Sequence, residues 1–207
     1  MRCANVPVLI AALTMLALVA CGGPSEPPEA RTYVTAAQTS NGDEISVALA
    51  RDGDSVIALA CGDDPANDGS PGWFYGTTRL DGRFAIDHDG WLLGGRSTEE
   101  KAEGAFHQAR GPSFDWSAPA LVEGDKSGLY GARDRDEEGK LGAIVLEDST
   151  GELTVRGAWY GKEGLVVQVT PAMPLSLEAG QLELEVAFPS GTRSFVAERV
   201  DQKPWFP

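Results

Sequence analysis

The chain is expected to fold as an all-β protein, an antiparallel meander that closes into a barrel or bends strongly into a sandwich, with at most short helices. Three observations predict this. Short apolar or alternating runs recur from Thr32 onward, Asp-Gly and Gly-rich turns separate them, and no stretch keeps a helical period beyond two turns. Glu44 to Leu49 alternates, and Asp52-Gly53 then turns the chain into the apolar run Ser55 to Cys61, giving a first hairpin. Gly72 to Arg79 and Arg83 to Asp87 flank Asp81-Gly82, and Asp89-Gly90 leads into Trp91-Leu92-Leu93. Leu141 to Glu147 and Leu153 to Trp159 bracket Asp148-Ser149-Thr150-Gly151, and Leu165 to Val169 follows. The clearest period-2 pattern sets Leu182, Leu184, Val186 and Phe188 against Glu183, Glu185 and Ala187, so one face is buried and the other wet. Helical signal is confined to Ser97 to Glu103 and Ala118 to Glu123. The total is about ten to twelve strands, and a sheet of that size curls, closes or splits because twist accumulates and open edges invite aggregation.

Composition limits the function classes. The 207 residues are 42% hydrophobic and 23% charged, enough for a core and too little charge for a disordered chain. Acidic residues outnumber basic ones 31 to 17, so the net field of −14 repels phosphate backbones and nucleic-acid binding is not expected. A membrane-spanning barrel is not expected either, because a lipid-facing girdle conflicts with outward Glu152, Arg156, Glu183 and Glu185.

The N-terminus reads as an address. Arg2 precedes an uncharged apolar run from Val6 through Ala20, shorter than the roughly 20 residues a spanning helix needs. Its end, Leu18-Val19-Ala20-Cys21, resembles the lipobox of bacterial lipoproteins. That resemblance implies cleavage between Ala20 and Cys21, a diacylglycerol thioether on Cys21 and usually a further acyl chain on its amine. Two or three chains hold a protein at a membrane durably where one does not. The expected organisation is a signal peptide over 1–20, a flexible tether over 21–31 rich in Pro, Gly and Glu, and a single all-β domain over 32–207. Gly22 in place of Asp after the modified cysteine resembles the sorting pattern for the outer membrane in a Gram-negative host. In a host with one membrane, the outer face of that membrane is implied instead. The mature chain loses its one signal-peptide charge, Arg2, leaving 16 basic against 31 acidic residues.

A looser resemblance covers residues 44–146. Cys61-Gly62-Asp63, Trp73-Phe74-Tyr75-Gly76, Asp81-Gly82, Gly104-Ala105-Phe106 and Ser127-Gly128-Leu129-Tyr130 are spaced as in uncharacterised all-β secreted proteins of bacteria. It implies the fold and no activity.

No catalytic constellation is legible, so the catalytic residues stay unknown. Gly111-Pro112-Ser113-Phe114-Asp115 lacks the second glycine of a nucleophile elbow. His88 and His107 stand 19 apart with no cysteine pair, so no metal site and no cofactor is expected. Asp134-x-Asp136-x-Glu138-Gly139 begins like a calcium loop, but position 12 is Val145, and Asp64 to Gly69 has Ala66 at position 3. Once Cys3 is cleaved and Cys21 lipidated, Cys61 has no intramolecular disulfide partner, and its apolar run favours burial. The aromatic residues Trp73, Tyr75, Trp159, Trp205 and Phe206 are the binding candidates, as a platform for a sugar or an anchor for a partner, with core packing as the bland alternative. The function expected is a lipid-anchored, non-enzymatic binding or interaction module for an envelope protein or small ligand. The rivals are an envelope hydrolase using paired carboxylates and a purely structural envelope lipoprotein.

Overall fold

In a computed structural model of the chain the described residues are 30–64, 71–109, 111, 113–134, 138–178, 180–201 and 205. Cys21, Ala20 and Phe206 lie outside them. Among the described residues, fifteen strands and one short 3-10 turn at Lys162–Gly164 make up the regular structure. The first sheet is β1 (Arg31–Gln38), β2 (Glu44–Asp52), β3 (Ser55–Cys61) and β4 (Gly72–Thr77), antiparallel and in chain order. The second is β5 (Arg83–His88), β6 (Trp91–Ser97), β7 (Lys101–Gln108) and β8 (Ser113–Pro119), again in chain order.

The remaining strands form a closed barrel. β9 (Gly128–Asp134), β10 (Gly139–Glu147), β11 (Leu153–Tyr160), β12 (Val166–Pro171), β14 (Gln181–Phe188) and β15 (Gly191–Arg199) pair in the ring order β12-β11-β10-β9-β15-β14, and β14 pairs back to β12. A two-residue strand, β13 (Leu177–Glu178), adds to β14. The all-β antiparallel expectation holds, and both of its alternatives are present in one chain.

Three apolar layers organise these parts. Val47, Leu49, Phe74, Leu93, Phe106 and Trp116 fill the space between the two four-stranded sheets. Chain ends of the sandwich are drawn together where Tyr33 bridges Ala120 and the Leu121 N–H donates to the Thr32 carbonyl. Leu141, Val145, Trp159, Leu182, Leu184 and Val186 fill the barrel. Between them, the outer face of the first sheet packs on the outer face of β9–β11, with Ile57, Leu59, Cys61 and Trp73 against Leu129, Ile144 and Ala158. The first sheet is therefore buried on both faces, which is why β3 reads as a continuous apolar run and why β2, although its sequence alternates, is buried at every position from Ile45 to Ala50. Cys61 is fully buried, as its run predicts.

Arg156 corrects one expectation. On β11 it points outward from the barrel, but outward there means toward the first sheet, and its side chain is only 14% exposed. It reaches Glu44 and Asp63, each at 2.7 Å, tying the two bodies together at their polar margin. Glu152, Glu183 and Glu185 do face solvent.

The two helical expectations are also corrected. Ser97 ends β6, Thr98 and Lys101 close a tight turn, and Lys101–Gln108 is strand β7. Good helix formers at Glu99, Glu100 and Lys101 lose to tertiary burial, since Ala102 and Phe106 enter the core on alternate positions. Ala118 and Pro119 finish β8, Ala120 bridges Tyr33 of β1, and Val122 to Asp125 is a turn. The Asp89-Gly90 turn matches its sequence signature, with φ of 48° and 78° at its two central residues joining the paired His88 and Trp91.

A candidate ligand cleft at the junction of the three sheets

Strand alternation in β4 decides where its aromatics go. Phe74 enters the sandwich, at 5.3 Å from Phe106, while Trp73 and Tyr75 take the opposite face and meet the barrel wall. That wall is bare at one place. Gly131 of β9 and Gly142 of β10 are cross-strand partners, and a Cβ at Gly142 would lie 2.5 Å from the Trp73 ring. A Cβ at Gly131 would lie 2.6 Å from Trp205. The two glycines thus form a side-chain-free floor on which two indoles lie flat.

The rings stack in a row. Tyr75 and Trp73 have centroids 5.8 Å apart at 22°, and Trp73 and Trp205 are 6.4 Å apart at 10°. Each end carries a cation: Lys140 Nζ sits 4.5 Å from the Tyr75 ring centre and the Arg133 guanidinium 5.7 Å from that of Trp205. Lys140 and Arg133 are themselves partners across β9 and β10, so the same register that sets the glycine floor sets the cations at its two ends. Such contacts contribute roughly 0.5–2 kcal/mol each, more as they desolvate.

Tyr75 opens this row onto a cleft of about 570 Å³. Trp73 and Tyr75 form one wall. His88, Asp89 and Trp91, from the β5–β6 turn, form another. Lys140, Glu138, Tyr160 and the β11–β12 connection through Leu165 and Val166 complete it. Gly72, at φ 78°, lets the Tyr160 ring approach, since a Cβ there would be 3.1 Å away. Glu138 is held by Lys162 at 2.7 Å and Asp89 faces His88 at 3.3 Å, so the rim carries charge of both signs around an aromatic interior.

Burial pushes the Tyr75 phenol up to about 12, with Arg133 opposing. The folded protein therefore holds the neutral phenol where the unfolded chain, near 10, releases its proton. This contribution to stability is whole below pH 10 and is lost as pH rises through 12. A spectrophotometric titration of phenolate absorbance is expected to show a late step near pH 12 that Tyr75→Phe removes, with less alkaline destabilisation in the variant.

Of the binding residues expected from sequence, Trp73 and Tyr75 line the cleft. Trp159 does not: it faces the barrel interior, 3% exposed, with its ring 4.9 Å from Phe188. Its neighbour Tyr160, one position on and hence on the opposite face, is the cleft residue. Trp205 ends the row, next to Trp73, and is 8% exposed. Sequence reasoning missed Trp91, Lys140 and the cleft position of His88, which come from elements far apart in the chain. His107 is exposed on β7, and Ser113 is exposed at the start of β8. Of the calcium-like run, Asp134 pairs with Arg193 at 3.0 Å and Glu138 with Lys162, and Asp136 lies outside the described residues.

No family model matches the sequence, and no curated protein matches it. Among solved structures, the chain resembles an AttH-type protein from Nitrosomonas europaea at 11% identity, with 94% of this chain and 98% of that one aligned. The TM-score is 0.26, and a likeness at that level carries no argument.

Proposed function

We propose that the protein is a lipid-anchored component of the bacterial cell envelope that binds a small ligand in the cleft between its two β bodies. The observation that carries this reading is the cleft itself: aromatic walls from Trp73, Tyr75, Trp91 and Tyr160 with a charged rim, whereas the interiors of both the sandwich and the barrel are filled by side chains. A ligand with an apolar face and a hydrogen-bonding edge suits those walls, which is the chemistry a saccharide presents. The anchor rests on Leu18-Val19-Ala20-Cys21, and the expected site is the outer membrane of a Gram-negative host or the outer face of a single membrane.

A hydrolase reading has one observation in its favour, since Asp89 and Glu138 both line this cleft beside Trp73. Their side chains are 85% and 68% exposed and each faces a basic group, whereas a carboxyl acting as general acid is kept protonated by desolvation. Binding is the better reading of that geometry.

Two measurements test the proposal. Cys21→Ser is expected to abolish metabolic labelling with palmitate and to release the protein from membranes, and persistent labelling would defeat the anchor. For the cleft, native mass spectrometry of protein extracted from its host is expected to reveal a small-molecule adduct that Tyr75→Ala loses and Val196→Ala, on the exposed barrel surface, retains. An adduct equally retained by both variants would remove the cleft from the account.

A further inference from the structure

Arginine is scarce in this chain relative to its carboxylates, and four of the nine described arginines pair with one. Arg83, Arg156, Arg193 and Arg199 each pair with Asp or Glu. Arg31, Arg51, Arg79, Arg96 and Arg133 make no ion pair among the described residues, and Arg31, Arg51 and Arg96 line one cavity of about 330 Å³. They arrive on three strands, β1, β2 and β6.

Arg51 and Arg96 are held by neutral acceptors. Arg51 Nε donates to the Gly53 carbonyl at 2.8 Å and its Nη1 reaches the Ser97 carbonyl at 3.3 Å and hydroxyl at 3.4 Å. Arg96 Nε donates to the Asp81 carbonyl at 3.1 Å. A guanidinium has five N–H donors, so each retains donors for a further acceptor. Two carboxylates also line the cavity. That of Asp81 is taken by Arg83, through Nε at 3.4 Å and the backbone N–H at 3.2 Å, and Glu99 remains as the one opposing charge without an ion pair among the described residues. Tyr33 closes the cavity by donating its hydroxyl to the Thr98 carbonyl. Burial pushes that phenol's pKa up while Arg51 and Arg31 oppose it, which places both guanidinium groups within electrostatic reach of the same wall.

We infer that this cavity binds a phosphate group. Guanidinium forks from three separate strands suit a tetrahedral phosphate, whose non-bridging oxygens point in different directions, better than a planar carboxylate. The volume exceeds what a bare ion needs, and Leu80, fully exposed on the rim, offers an apolar contact to the organic part of a phosphoester. Two sources share this chemistry: a phospholipid headgroup and a soluble phosphoester. The lipid source draws on the anchor proposed above. Arg31 is ten residues beyond Cys21, a length that extends to about 33–36 Å, so the cavity mouth is within reach of the headgroup layer. The soluble source does not need the anchor.

The test uses the mature chain from residue 21 carrying Cys21→Ser, so that no acyl chain contributes. Calorimetric titration at low ionic strength with glycerol phosphate is expected to show binding, weaker binding of acetate, and a loss of about tenfold or more in affinity in Arg31→Gln/Arg96→Gln. Lys126→Gln, which removes the same charge from the barrel body, is expected to change affinity less than about twofold. The Arg31 side chain makes no hydrogen bond among the described residues, so Arg31→Gln alone, checked by circular dichroism, covers the case in which the double variant misfolds. Flotation with phosphatidylglycerol in phosphatidylcholine vesicles, against phosphatidylcholine alone, identifies the source. Arginine-dependent flotation that glycerol phosphate competes away assigns the headgroup, and binding of glycerol phosphate without flotation assigns a soluble phosphoester. Absence of both, affinity unchanged in the arginine variants, or acetate bound as tightly as phosphate overturns the inference. Failure of the cleft adduct experiment leaves this result unaffected, because the two sites share no residue.

Discussion

Trp73→Ala is expected to lower the free energy of unfolding by about 3–5 kcal/mol, the cost of emptying a buried indole site that cannot collapse. Collapse is blocked because both sides of the site are backbone or stacked ring. Gly142 lies beneath the indole, and Tyr75 and Trp205 lie on either side of it. The same change removes the middle ring of the stack, so Tyr75 loses its support and the cleft loses a wall. Urea denaturation followed by far-ultraviolet circular dichroism measures the stability term. A loss below about 1 kcal/mol would mean that the two β bodies are not held together through this ring.

Arg193→Ala is the second large effect. Inside the barrel the Arg193 guanidinium takes both Asp134 oxygens, at 3.0 and 3.2 Å, and lies 5.6 and 5.3 Å from the Phe188 and Phe195 ring centres. Asp134 is 5% exposed, so removing Arg193 takes a charge partner from a buried carboxylate. The expected cost is about 3 kcal/mol, at the lower end for a broken buried pair because the Arg193 side chain keeps 34% exposure. Replacing both members, as Asp134→Leu/Arg193→Met, is expected to recover most of the loss, since the desolvation of two charges disappears together with their attraction. Equal destabilisation by the single and double replacements would show that shape, not charge, governs this end of the barrel.

The strand content was legible because its signals are local. Period-2 alternation in Leu182–Phe188 and Asp-Gly at 89–90 specify a face and a turn within a few residues, and the structure has both. The continuous apolar run of β3 was legible as buried, but what covers its second face was not, since that is the outside of a barrel formed some 70 residues later. The same gap explains Arg156, where an outward-facing position on a barrel is a solvent position only if nothing packs there. At 97–103 a helix was expected from composition, and the buried alternation of Ala102 and Phe106 prevailed over it.

The candidate site was half legible. Trp73 and Tyr75 stand on one face of one strand, and that much follows from spacing. Choosing Trp159 over Tyr160 was an error of parity, because one residue along a strand exchanges inside for outside. The glycine floor carried no sequence signal of its own: Gly131 and Gly142 become a surface only once β9 and β10 pair in register.

The claim that ligand is held at the junction of the three sheets is tested most directly by a photoreactive amino acid placed at Leu165, on the cleft rim and 51% exposed, with the same substitution at the equally exposed Val196 on the barrel surface. Irradiation in the host followed by peptide mass spectrometry is predicted to give one discrete small-molecule adduct at position 165 and none at 196. Matching adducts at both positions, or none at 165, would contradict it.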